Sequence, residues 1–218
     1  MMLTRRSLVL TVALLGGVLC SHGANLLVNG SFETGNFIPP ADDTMPLAIG
    51  ATDMTGWTVE VANLAWIGPS NPFHLTASQG GYFLDLSGYH DSMPYAGVQQ
   101  TVATTIGARY RLSFDIGTDP AYDSAAVGVT VTGVSAPNPF ISTPSTANQW
   151  QSFSFEFDAA SASTTIELDG YGTTNEKYVG LDNVSLEAIS NIPEPGTLTL
   201  LAGPGLLVFA AWRRFQKA

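Results

Sequence analysis

Five aromatic residues fall where the sequence turns polar rather than where it alternates: Phe73, Tyr89, Tyr95, Tyr122 and Tyr171. His74, His90, Asp91 and Asp123 stand beside them. Sugars offer flat C–H faces and many hydroxyls. An exposed ring flanked by carboxylate, amide or imidazole groups is therefore a side-chain set that can hold a glycan. The stretch between Gly88 and Gly97, Tyr-His-Asp-Ser-Met-Pro-Tyr-Ala, concentrates these types and is the expected binding rim. For any single loop tyrosine the alternative is a partly buried loop anchor. Trp57, Trp66 and Trp150 lie inside strand-like patterns and are expected in the core.

Catalytic chemistry finds less support. Glycoside hydrolysis needs two carboxylates flanking the bond at a set distance, and no motif here pairs two acids. His74 and His90 lack metal-ligand spacing, and the chain has neither a Gly-x-Ser-x-Gly elbow nor a phosphate-cradling loop. The residues read as a binding protein rather than an enzyme, with a glycan-degrading enzyme as the remote alternative.

Charge is partitioned along the 218 residues. Of eight basic residues, Arg5, Arg6, Arg213, Arg214 and Lys217 lie at the two ends. Residues 24–192 keep only Arg109, Arg111 and Lys177 against seventeen acids, a net charge of −14. Such a surface repels nucleic acid and anionic lipid and suits neutral partners and divalent cations.

Residues 1–23 read as a signal peptide: Arg5 and Arg6, an apolar run from Leu8 to Leu19, then Ser21-His22-Gly23 as a small-x-small cleavage pattern. Thr4-Arg5-Arg6-Ser7-Leu8-Val9 also resembles a twin-arginine export motif. Gly17-Val18-Leu19 before Cys20 is unlike a lipobox. If Cys20 leaves with the leader, the mature chain has no cysteine, which excludes disulfides and thiolate metal sites.

At the other end, Asn191-Ile192-Pro193-Glu194-Pro195-Gly196 breaks the chain before an uncharged apolar segment over 197–212. The prolines keep the approach extended. The segment fits a membrane helix slightly short of the ~20 residues that span a bilayer. Arg213, Arg214 and Lys217 after it place the C-terminus in the cytoplasm and the domain outside. Residues 191–218 resemble the PEP-CTERM sorting signal of Gram-negative bacteria. The resemblance implies recognition of Pro193, Glu194 and Pro195 by an exosortase, cleavage nearby, and a stay at the inner membrane before transfer to the cell surface or extracellular matrix.

The middle must position whatever binds. Residues 24–190 hold about ten short strand patterns separated by Gly, Pro, Asn and Asp turns, with no helical period and no internal repeat. The opening strand is read over 24–28, and 39–55 as a long loop. Alternation is clearest in Tyr110/Leu112/Phe114/Ile116 and Phe153/Phe155/Phe157, which put apolar side chains on one face. The expected fold is all-β, an antiparallel β-sandwich of jelly-roll type.

Three segments carry a further resemblance. Asn25-Leu-Leu-Val-Asn-Gly-Ser-Phe-Glu33 opens the domain, and Gly180-Leu-Asp-Asn-Val-Ser-Leu186 closes it. Between them stand Gly81-Tyr-Phe-Leu-Asp-Leu-Ser-Gly88, Gly97-Val-Gln-Gln-Thr-Val102 and Tyr110-Arg-Leu-Ser-Phe-Asp115. Together they resemble the galactose-binding-like jelly rolls of carbohydrate-binding modules. They are similar, more closely, to the extracellular domains of unknown function of plant cell-wall proteins, whose bacterial relatives are called choice-of-anchor proteins. The resemblance implies a structural Ca²⁺ held by Glu33 and Asp182 with backbone carbonyls. Turn and cap hydrogen bonds without a metal are the alternative for the same two residues. The function expected is an exported, non-catalytic protein binding polysaccharide through Tyr89, His90, Asp91, Tyr95 and Tyr122. The alternative is a structural or adhesive matrix protein acting through protein contacts.

Overall fold

The computed structural model describes residues 23–88, 94–122, 124–143, 145, 149–171 and 178–189. Among these residues there are eleven strands: β1 (Thr44–Leu47), β2 (Thr58–Glu60), β3 (Leu64–Ile67), β4 (Phe83–Asp85), β5 (Gly97–Ala103), β6 (Arg109–Gly117), β7 (Ala125–Val131), β8 (Phe140–Ser142), β9 (Trp150–Asp158), β10 (Ser163–Gly170) and β11 (Gly180–Ala188). Among the described residues the one helical element is a single 3₁₀ turn, Pro120–Tyr122. The strands form two antiparallel sheets, in the orders β1-β3-β4-β11-β6-β9 and β2-β5-β10-β7-β8. From β4 to β11 every connection except the β7–β8 hairpin crosses between the sheets. That crossing pattern is the jelly roll expected from the strand spacing.

Alternation builds the core between the sheets. Tyr110, Leu112, Phe114 and Ile116 of β6 are buried while Arg109 and Arg111 face solvent. Val127, Val129 and Val131 of β7, with Ile166 and Leu168 of β10, close the opposite wall. Trp57 and Trp66 are each 1% exposed. Their indole N–H groups donate to the carbonyls of Asn29 and Phe32, so burial leaves no polar atom unpaired.

β3 and β4 break the alternation, because every residue in them is buried. Leu64, Trp66 and Leu84 face the main core. Ala65, Ile67 and Phe83 face the other way, into a second cluster with Leu75 and Tyr178. The outer face of the six-stranded sheet is therefore covered there, by the loop over 68–82.

Two expectations need correction. Residues 24–28 are not a strand. The Asn25 side chain takes the ladder positions instead: its Oδ1 accepts from the backbone N–H of Leu27 and Leu186, and its Nδ2 donates to the Val184 carbonyl. And 39–55 is not all loop, since β1 lies within it. Its Pro46, which reads as a breaker, is tolerated because β1 ends the sheet and needs partners on one side only.

Candidate functional site

Three aspartates lie on the covered outer face: Asp182 on β11 beside Asp115 on β6, and Asp85 on β4 two residues along, opposite Gly180. Their strand neighbours Leu84, Leu181, Phe114 and Ile116 point into the main core, so the pleat turns the acids outward, under the loop. All three are buried. Asp182 and Asp115 are direct cross-strand partners, just before the ladder of β11 and β6 slips between Asp182 and Ser185.

Asp182 and Asp115 hold the loop, one through its backbone and the other through the Ser78 hydroxyl, while Asp85 ties β4 to Val179. Asp182 Oδ2 accepts from the Gln79 N–H at 2.8 Å and its Oδ1 from the Asn183 N–H at 2.6 Å. Asp115 Oδ2 accepts from Ser78 Oγ at 2.5 Å and from Asn183 Nδ2 at 3.1 Å. Asp85 Oδ1 accepts from the Val179 N–H at 3.1 Å. Burial pushes the Asp182 carboxyl up to about 7. The amides of Gln79, Asn183 and Ser78 pull it down, and the Asp115 carboxylate raises it further.

Glu33 reaches the same loop from the other end, though it is itself exposed. Its Oε1 accepts from the N–H groups of Gly81 and Tyr82, both at 2.9 Å. Gly80 between these contacts has φ +72, and a Cβ there would lie 2.4 Å from the Glu33 carboxyl carbon. Glu33 and Asp182, the pair expected to share a cation, are thus brought to one five-residue stretch, 78–82. Among the described residues no group of three or more metal-ligating side chains is present. What the described contacts give is two carboxylates, each accepting from backbone N–H groups of the same stretch.

Beside the loop, aromatic rings gather over the outer face of the same sheet. Tyr178 is the centre, with ring centroids of Tyr122 at 5.8 Å, Phe73 at 6.1 Å and Phe83 at 6.3 Å. Trp150 stands edge-on to Phe83 at 5.7 Å, and its Nε1 donates to the Thr76 carbonyl at 2.8 Å. Gln149 Nε2 donates to the His74 carbonyl at 3.2 Å and to Asp119 Oδ2 at 3.4 Å. Phe73, Tyr122 and Trp150 are half-buried, while His74 is exposed. The result is a partly open aromatic group edged by the Asp119 carboxylate and the Gln149 carboxamide.

Residues 25–187 match the model of a family described as a protein of unknown function, DUF642. The chain belongs to that family. A comparison with curated proteins found no match to this DUF642 chain. Among solved structures it is similar to TmCBM61 in complex with β-1,4-galactotriose, with 18% identity, 76% of this chain and 99% of that one covered, and a TM-score of 0.46. It is also similar to a family 35 carbohydrate-binding module from Clostridium thermocellum, with 14% identity, 65% and 97% covered, and a TM-score of 0.42. An isomalto-dextranase of Arthrobacter globiformis T6 complexed with panose gives 14% identity, 68% and 24% covered, and a TM-score of 0.45.

Placed in this DUF642 domain, the aromatic residues singled out in the sequence separate. Phe73 and Tyr122 come together around Tyr178. Tyr95, expected on the rim, is a correction: it is 5% exposed and belongs to the main core. The reason is the backbone around it. The Ala96 N–H donates to the Leu86 carbonyl and the Ala96 carbonyl accepts from Gly170, which draws Tyr95 between the sheets. Tyr171 is 53% exposed but follows β10 in the five-stranded sheet, away from the group. Trp150 leaves the main core for the outer cluster. Tyr89, His90, Asp91 and Asp123 lie outside the described residues, as do Pro193, Glu194, Pro195, Arg213 and Arg214.

Sequence reasoning missed Asp85, Asp115 and Tyr178. For the two acids a signal existed. Leu84-Asp-Leu86 and Phe114-Asp-Ile116 each set an acid inside an apolar strand, where Asp is disfavoured. Tyr178 had no comparable signal.

Proposed function

We propose that this is an exported, non-catalytic polysaccharide-binding protein whose ligand site is the half-buried rings of Phe73, Tyr122 and Trp150, packed around the buried Tyr178. The observation that carries the reading is where this group stands relative to Gly23 and Ile189, the ends of the described domain. Gly23 abuts the backbone of Ala188, and the Ile189 N–H donates to the Arg109 carbonyl, so both ends of the domain meet beside the start of β6. Trp150 and Gly180 flank the far end of β6, at Gly117. Nine residues of strand separate the two, about 26 Å. Once signal peptidase has removed a leader at 1–23, a sorting tail at 191–218 read by exosortase would hold the domain by its Ile189 end and leave the aromatic end outward, toward exopolysaccharide or cell-wall glycan.

Buried carboxylates support the non-catalytic reading. Asp182 and Asp115 are engaged with loop amides and hydroxyls, an arrangement that holds structure rather than flanking a glycosidic bond. A structural Ca²⁺ at Glu33 and Asp182 belongs to the same reading. It would neutralise a carboxylate that burial disfavours and fix stretch 78–82, and with it Phe73.

Two measurements test this. Retention of the exported protein in gels cast with a panel of polysaccharides should show slowed migration for at least one, and more so with Ca²⁺ than with chelator. Migration unchanged by every glycan would leave the protein-contact reading. Separately, adding Ca²⁺ to chelated protein should raise the melting temperature by several degrees, the size expected for a ligand at about 100 times its Kd. An unchanged melting temperature removes the cation from the account.

A further inference from the structure

Four strands end the two sheets, and three of them are blunted. β1 has four residues and contains Pro46, and β2 and β8 have three residues each. β9, the remaining edge, has nine: Trp-Gln-Ser-Phe-Ser-Phe-Glu-Phe-Asp. It contains no proline, lysine or glycine, and its ladder to β6 runs without a register break from Asp158 to Trp150. Among the described residues, 151–158 pair with β6 and with no other strand. Long, regular, unprotected edges are rare in isolated β-proteins, because unpaired N–H and C=O groups invite another strand.

The side chains around this edge favour the same kind of partner. Phe140, Phe153 and Phe155 are only partly buried where β8 and β9 meet, with Phe140 at 5.8 Å from Phe153 and 5.9 Å from Phe155. Ile141 beside them is 53% exposed. On the outer face Arg109 Nε pairs with Glu156 at 3.0 Å and Arg111 Nη2 with Glu156 at 2.8 Å. Arg109 Nη1 stands 3.6 Å from Asp158. Two arginines against two acids make this edge locally neutral on a domain of net charge −14. Two copies of so acidic a chain repel least here.

We propose that β9 is a self-association edge, on which a second copy of this chain pairs β9 to β9, antiparallel and centred at Ser154, to make one continuous sheet across the pair. In that register Glu156 faces the second copy's Ser152, Asp158 faces its Trp150 and Phe153 faces its Phe155. No acid opposes an acid, whereas a parallel pairing would stack glutamate on glutamate. The twofold arrangement is self-complementary and closes on itself, so it stops at a dimer.

Ser154 is exposed and would face its own counterpart on the axis. The full chain, purified in mild detergent, should have the protein mass of a dimer by light scattering. Ser154→Glu and Ser154→Lys should each shift it to the monomer mass, since like charges then meet, and an equal mixture of the two variants should recover the dimer. Thr130→Glu, on the outer face of the five-stranded sheet, should leave the dimer intact. A monomeric wild type, dimers that persist in both Ser154 variants, or a mixture that stays monomeric while each variant melts like wild type would overturn the proposal.

Discussion

Asp169 shows how a single side chain can set the pH response of this domain. It stands on the outer face of the five-stranded sheet, opposite Gly97 on one side and Gly128 on the other. Its Oδ1 is buried without a hydrogen bond, and a Cβ on Gly97 would lie 1.7 Å from it. Burial pushes the carboxyl up to about 7, helped by Glu167 and Glu60. The folded state therefore holds a proton that the unfolded state has released between pH 4 and 7. Stability from this group is full below about pH 4 and falls as pH rises toward 7. Asp169→Asn should flatten that slope and stabilise the domain at pH 7.5 by about 1–2 kcal/mol, a figure discounted because the carboxyl is partly solvated. Thermal melts of both proteins at pH 5 and 7.5 check this, and an equal slope in the variant would contradict it. None of this was visible in Glu167-Leu-Asp169, which reads as an ordinary outward-facing acidic pair. Glu33 and Asp182 could be marked from the opening and closing motifs. Tyr95 could not be told from a rim tyrosine, because its burial depends on Ala96 bonding to Leu86 and Gly170, contacts distant in sequence.

At the scale of the element, loop 68–82 joins the two halves of the site. One end is held by Glu33, Asp182 and Asp115, while Phe73 and Leu75 pack in the outer cluster. Gly80 is needed both for its left-handed backbone and for the space Glu33 occupies. Gly80→Ala should cost about 1–2 kcal/mol by denaturant unfolding, from backbone strain and displacement of Glu33. It should also weaken glycan retention, because Phe73 lies on the same loop. Unfolding that matches wild type would show that the loop yields without cost. The long alternating strands β6 and β9 were legible because their side chains repeat every two residues. β1 and the segment 24–28 were not. A proline hides the first, and a side-chain carboxamide replaces the ladder in the second.

For the whole molecule, the described ends Gly23 and Ile189 and the aromatic group stand at opposite ends of β6. The sequence alone supplied the partition of charge and the resemblances on which a leader and a sorting tail are proposed. It could not supply the distance between the domain's ends and the site, which depends on the Gly23–Ala188 approach. The central claim is that the aromatic group binds glycan. Its most direct measurement is a binding isotherm for a retained polysaccharide with wild type and with Phe73→Ala/Tyr122→Ala. Base- and sugar-stacking rings each contribute on the order of 1–3 kcal/mol, so the double variant should weaken binding at least about tenfold while melting as a folded protein. Wild-type affinity in a folded double variant would place the ligand elsewhere and contradict the account.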